Sequence, residues 1–150
     1  MWDYPRPPAL EPSSKRVLVR AGSIVIADST SAWRVMETSH PPTWYIPRAD
    51  VAEQYLRLSP TRSSVCEWKG AATYWDVVTA GGLIEGACWS YERPTPRFVP
   101  MTGYLSFMPG RFECSIDDEP VLPQAGGFYG GWITSDVVGP FKGEPGSWGW

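Results

Sequence analysis

The chain is short of histidine, of lysine and of paired cysteines, and each shortage removes a class of function. Its 150 residues include a single histidine, His40, and three lysines. The three cysteines, Cys66, Cys88 and Cys114, are odd in number and never spaced as CxxC. Neither a disulfide framework nor a zinc knuckle is indicated, and a reduced, cytoplasmic setting is expected. No stretch approaches the roughly 20 apolar residues of a spanning helix, and Met1 to Pro8 lacks the charged head and apolar run of a signal peptide, so no membrane partner is expected. A formal charge of −3 gives no chain-wide attraction to phosphate backbones, and nucleic acid is not expected as a partner. Room for long helices is lacking too. Sixteen prolines and fifteen glycines are scattered throughout, and each proline removes a backbone donor and disfavours helix in the residue before it.

What the chain has in excess is aromatic rings: nine Trp, seven Tyr and five Phe. A buried Trp removes on the order of 200 Å² from water, so a few such rings suffice to hold a domain of this size together. Short β-branched runs punctuated by turn residues predict a mainly β, compact antiparallel single domain with one or two short helices. Lys15–Arg20 and Ile24–Ile26 read as a hairpin about Ala21-Gly22. Ala32–Thr38 and Thr43–Pro47 read as two further strands, and Arg48–Leu56 as a helix with Asp50 as its cap and Val51, Tyr55 and Leu58 on one face. The clearest hairpin pairs Ala71–Thr79 with Leu83–Tyr91 across Ala80-Gly81-Gly82. Met101–Ser106 suits either a helical turn or a strand. Arg111–Ile116 and Pro120–Leu122 form a last hairpin over Asp117-Asp118-Glu119. Three regions follow: a Pro-rich extended arm at 1–14, the folded domain at 15–122, and a Gly- and Trp-rich tail at 123–150 that is expected to pack on the domain or on a neighbouring copy, the latter making a homo-oligomer.

Three segments together resemble a known family. Glu37-Thr38-Ser39-His40-Pro41-Pro42-Thr43-Trp44-Tyr45-Ile46-Pro47, then Cys66-Glu67-Trp68-Lys69-Gly70-Ala71-Ala72-Thr73-Tyr74-Trp75, then Ala87-Cys88-Trp89-Ser90-Tyr91-Glu92-Arg93-Pro94 are similar, in order and spacing, to the successive signatures of the domain of unknown function 427 family. The resemblance covers about Arg16 to Ile116. It implies a β-tent or barrel-like antiparallel fold without an established activity, although some members carry a nucleotidyltransferase label. The chain departs from the family pattern at Glu67, where a proline commonly follows the motif cysteine, and it lacks the paired CxxC ligands that many other β-tent proteins place on zinc.

Lys69 leads the catalytic candidates, because it is one of three lysines and sits between Trp68 and Gly70 in a family motif. It suits a ligand carboxylate or phosphate, or a base role if desolvated; the plainer alternative is a solvated charge at a strand end. Glu37, also in a motif, is the matching carboxylate, as general base or ligand anchor. Cys66 is a candidate nucleophile whose plainer reading is a buried thiol, and His40, between Ser39 and two prolines, reads as a turn residue. Tyr45, Tyr74, Trp75, Trp89 and Tyr91 are the ligand-binding candidates, suited to stacking on a planar or cationic ligand. The same alternation is shown by any half-buried sheet. No metal site and no phosphate loop followed by Lys-Ser or Lys-Thr is found, and no cofactor is implied.

These residues lead to three expectations. The first is a small-molecule-binding domain with an aromatic-lined pocket carrying Lys69 and Glu37, whether or not it catalyses a reaction. The second is a non-enzymatic interaction or self-association module working through the tail. The third, from the family label alone, is nucleotidyl transfer.

Overall fold

The computed structural model describes residues 9–36, 42–66, 70–123 and 131–134. In chain order its strands are β1 (Ala9–Pro12), β2 (Val17–Ala21), β3 (Ile24–Ser29), β4 (Trp33–Met36), β5 (Thr43–Tyr45), β6 (Leu56–Cys66), β7 (Gly70–Thr79), β8 (Gly82–Ser90), β9 (Leu105–Phe107), β10 (Glu113–Ile116), β11 (Glu119–Pro120), β12 (Leu122–Pro123) and β13 (Trp132–Ile133). Every ladder between them is antiparallel. The mainly β class expected from the turn spacing is the class observed.

Within the stretch read as an arm, β1 pairs with β4, with Leu10 opposite Val35. β4 pairs in turn with β5. A second sheet runs β6-β7-β8-β9. The two meet edge to edge where Ile46 and Leu105 exchange backbone hydrogen bonds of 2.8 and 2.9 Å, which makes one long run β1-β4-β5-β9-β8-β7-β6. The third sheet, β11-β10-β2-β3, lies against one face of that run.

Between those layers is the larger core, built from Val17, Val19, Ile26 and Ile116 on one side and Trp44, Ile46, Val77, Leu105 and Phe107 on the other. The period-2 alternation of a strand explains why Trp44 and Ile46 enter this core while Tyr45 between them does not. Trp132, from the C-terminal region, is fully buried here. It packs against Trp44 at 6.4 Å between ring centroids and donates its Nε1–H to the Phe107 carbonyl at 3.0 Å. The opposite face of the long run carries a smaller core of Val35, Tyr45, Ala72, Trp89, Tyr91, Phe98 and Met101. Phe98 and Met101 reach it from a 3₁₀ segment, Pro96–Met101, entered through a proline at the first turn.

The helix expected at 48–56 is not formed. Two separate 3₁₀ turns, Arg48–Asp50 and Glu53–Tyr55, stand in its place, with extended backbone at Val51 and at Leu56. Val51 is drawn out of helical geometry because it bridges to Ala27, and the next amide, Ala52, donates to the Ile26 carbonyl at 2.8 Å. Asp50 caps nothing; its carboxylate accepts the Ser29 hydroxyl at 2.6 Å. The two expected hairpins around Gly22 and Gly81-Gly82 are both present. In the second, the register shifts between Trp75 and Val77, with Gly86 at φ +56°, and Asp76 accepts the Gly86 N–H at 2.8 Å. Asp117 and Asp118 turn the chain from β10 to β11, both at positive φ as a two-residue hairpin turn of the primed type needs.

Candidate functional site

Four of the five aromatic ligand candidates come together on one face of the long sheet. Tyr74 and Trp89 are cross-strand partners, with ring centroids 6.3 Å apart. Tyr45 and Tyr91 stand at 6.2 Å, and the Trp89 Nε1–H donates to the Tyr45 hydroxyl at 3.3 Å. Tyr45, Trp89 and Tyr91 are buried, and Tyr74 is half-buried at the margin of the cluster. The tilted ring pairs are the geometry expected of quadrupolar rings packed beside one another.

Ser106 completes this face. It is the cross-strand partner of Trp89 on β9, so its side chain shares that face, and it is fully buried. Its Oγ has no hydrogen-bond partner among the described residues. A buried hydroxyl left unpaired costs about 1–3 kcal/mol, so the face holds an unmet polar demand next to four rings.

Trp75, the fifth aromatic candidate, is not part of this group. Its neighbour in the chain, Tyr74, points to the aromatic face, and Trp75 therefore packs on the other side, against the larger core. There the Arg48 guanidinium lies 5.1 Å from the Trp75 ring centroid, in cation–π range, while Trp75 donates its Nε1–H to the Ser90 hydroxyl at 3.0 Å. Arg48 Nη1 donates to Glu92 Oε1 at 2.9 Å, and Arg48 Nε lies 3.4 Å from Glu53 Oε1. Nε and Nη2 are buried and make no aligned hydrogen bond among the described residues. Arg48 had no distinguishing signal in sequence beyond standing one residue after the Tyr45-Ile46-Pro47 end of a motif.

Of the polar candidates, Glu37 and Lys69 lie outside the described residues, as does His40. Cys66 closes β6 opposite Gly70, with its backbone described and its side chain outside the description. The other two thiols are inert by burial. Desolvation pushes Cys88 well above the usual thiol range, opposed only weakly by the charge of Arg48, and Cys114 is pushed up to about 12. Among the described residues no group of three or more His, Cys, Asp or Glu side chains gathers at metal-ligand distance, and no helix is long and apolar enough to cross a membrane.

A family profile described as "Domain of unknown function (DUF427)" matches residues 9–118. The matched stretch begins with β1, includes the whole aromatic face, and stops before Trp132, which nonetheless sits in the larger core. No curated protein matches the chain.

Proposed function

This chain belongs to the DUF427 family, and on that footing we propose that it is a small-molecule-binding domain whose recognition surface is the tyrosine and tryptophan face of the long sheet. The observation that carries this is the convergence of Tyr45, Tyr74, Trp89 and Tyr91 on one face together with the unpartnered hydroxyl of Ser106. An organic ring that stacks on Tyr74 and offers a hydrogen bond toward Ser106 meets both demands of the face: contact for a half-buried ring and a partner for a stranded hydroxyl.

Lys69 and Glu37 remain the candidate polar groups of this site, each one residue beyond a described strand. Glu37 follows Met36 at the end of β4, two residues beyond Val35. Lys69 precedes Gly70 at the start of β7, three residues before Ala72. Val35 and Ala72 belong to one packed cluster with the aromatic candidates. In the long run β5, β9 and β8 lie between β4 and β7, and Met36 and Gly70 stand at its opposite ends, so strand continuity brings at most one of the two side chains to the margin of the rings. Trp132, buried in the chain's own core, favours a structural part for at least that piece of the C-terminal region over a part in self-association.

The test is a thermal-shift screen of planar metabolites, repeated on Tyr74→Ala, Lys69→Ala and Glu37→Ala. At least one compound is expected to raise Tm in the parent protein by several degrees and to do so less in Tyr74→Ala and in at least one of Lys69→Ala and Glu37→Ala. A panel with no response, or a response that all three variants retain in full, overturns the proposal.

A further inference from the structure

At the turn end of the β7–β8 hairpin, roughly 20 Å along the ladder from Trp89, the surface holds a groove of about 360 Å³. The hairpin turns at Gly22 and at Gly81-Gly82 and the segment Gly110–Glu113 form its walls. Arg20 and Arg111 line it from different elements. Both are exposed, and neither makes an ion pair or side-chain hydrogen bond to any described residue. Arg16, Arg34 and Arg48 each have a carboxylate and Arg57 donates to backbone carbonyls, while exposed Arg93, like the two groove arginines, has no ion pair among the described residues. The one carboxylate lining the groove is Glu113, which faces Arg20 across the β2–β10 ladder without closing an ion pair. The groove therefore keeps one net positive charge on a protein whose formal charge is −3.

Part of its lining is apolar: Leu83 is 53% exposed, and Ile84, on the other face of β8, packs against the larger core. An exposed Leu83 at a hairpin tip beside two free guanidinium groups combines contact area with charge. Each guanidinium is a planar fork that accommodates two oxygens, so two forks exceed what a single carboxylate can fill. A phosphate monoester carries three terminal oxygens and nearly two charges at neutral pH.

We propose that this groove is a binding site for a small phosphate monoester, with the phosphate held between Arg20 and Arg111 and its apolar body laid against Leu83. The site is separate from the aromatic face in both residues and position, so either can fail without the other.

The experiment is an amide NMR titration at low ionic strength with phenyl phosphate, inorganic phosphate and benzoate. Phenyl phosphate is expected to give saturable shifts at Gly22, Gly81, Gly82 and Gly110, to bind more tightly than either of the other probes, and to be weakened at least tenfold in Arg20→Gln and in Arg111→Gln. Glu113→Gln is expected to tighten it several-fold, and 0.5 M salt to weaken it, since the charges are solvent-exposed. All of these side chains are exposed, and unchanged spectra away from the groove report an intact fold. Absence of saturation, shifts confined to other regions, benzoate binding as tightly as phenyl phosphate, or affinity unchanged in both arginine variants overturns the proposal.

Discussion

One face of the β1-to-β6 run is closed by the third sheet and lined mostly with valine, leucine, isoleucine and phenylalanine. The other is closed by a 3₁₀ segment and carries phenols, an indole N–H and a serine hydroxyl. On the first face both indole N–H groups are matched, Trp132 by the Phe107 carbonyl and Trp75 by Ser90, and the buried atoms without an aligned partner are guanidinium nitrogens of Arg34 and Arg48, stacked over Trp44 and Trp75. On the second, one polar pair is long and one hydroxyl is unmatched. The first face leaves its unmatched atoms on cations held over indole rings, whereas the second leaves a neutral hydroxyl unmatched among rings.

That contrast can be broken most sharply at Trp132. If the first face carries the stability, Trp132→Ala should cost about 3–5 kcal/mol and lower Tm by roughly 10 °C or more, followed by thermal or urea unfolding. A cost under about 1 kcal/mol would mean that the ring adds little to that core. A smaller effect separates two substitutions on the second face. Tyr45→Phe removes the acceptor of the Trp89 N–H and should cost about 1–2 kcal/mol, whereas Ser106→Ala removes a hydroxyl without a partner and should be neutral or slightly stabilising. Equal losses in both variants would erase the distinction between a used and an unused polar atom.

The smallest effect belongs to the exposed rim of the third sheet. Arg16 holds Asp28 in a two-pronged pair, Nε to Oδ1 at 3.0 Å and Nη2 to Oδ2 at 2.9 Å, and that hydrogen bonding lowers the Asp28 pKa. A carboxyl whose folded value is depressed adds stability above its unfolded value near 4 and loses it as pH falls through the folded value. Asp28→Asn should therefore differ from the parent only slightly at pH 6 and low salt, and the difference should fade both in high salt and as pH drops below about 4. Urea midpoints at the two pH values and two salt levels check this; a gap that widens in acid would reverse the assigned sign.

How much of this was legible in the sequence depends on how local each signal is. The hairpins at Gly22 and Gly81-Gly82 could be read because a turn with positive φ needs its residues in one short stretch. The helix expected at 48–56 failed because the spacing of Val51, Tyr55 and Leu58 suits a helix face, yet Val51 pairs with Ala27, twenty-four positions away, and that contact overrides local preference. The separation of Trp75 from Tyr74 was available in principle, since adjacent strand residues point to opposite faces. The shared motif hid it. Arg48 and Ser106 could not be picked out at all: one matters because a distant ring passes beneath it, the other because nothing meets it.

The mutual pairing of Ile46 with Leu105 has a practical consequence. Because this single reciprocal contact welds a three-strand patch to a four-strand patch, the two amides act as a built-in strain gauge for the whole surface. Any occupant that bridges Tyr45 on one patch and Trp89 on the other should slow deuterium uptake at both positions together.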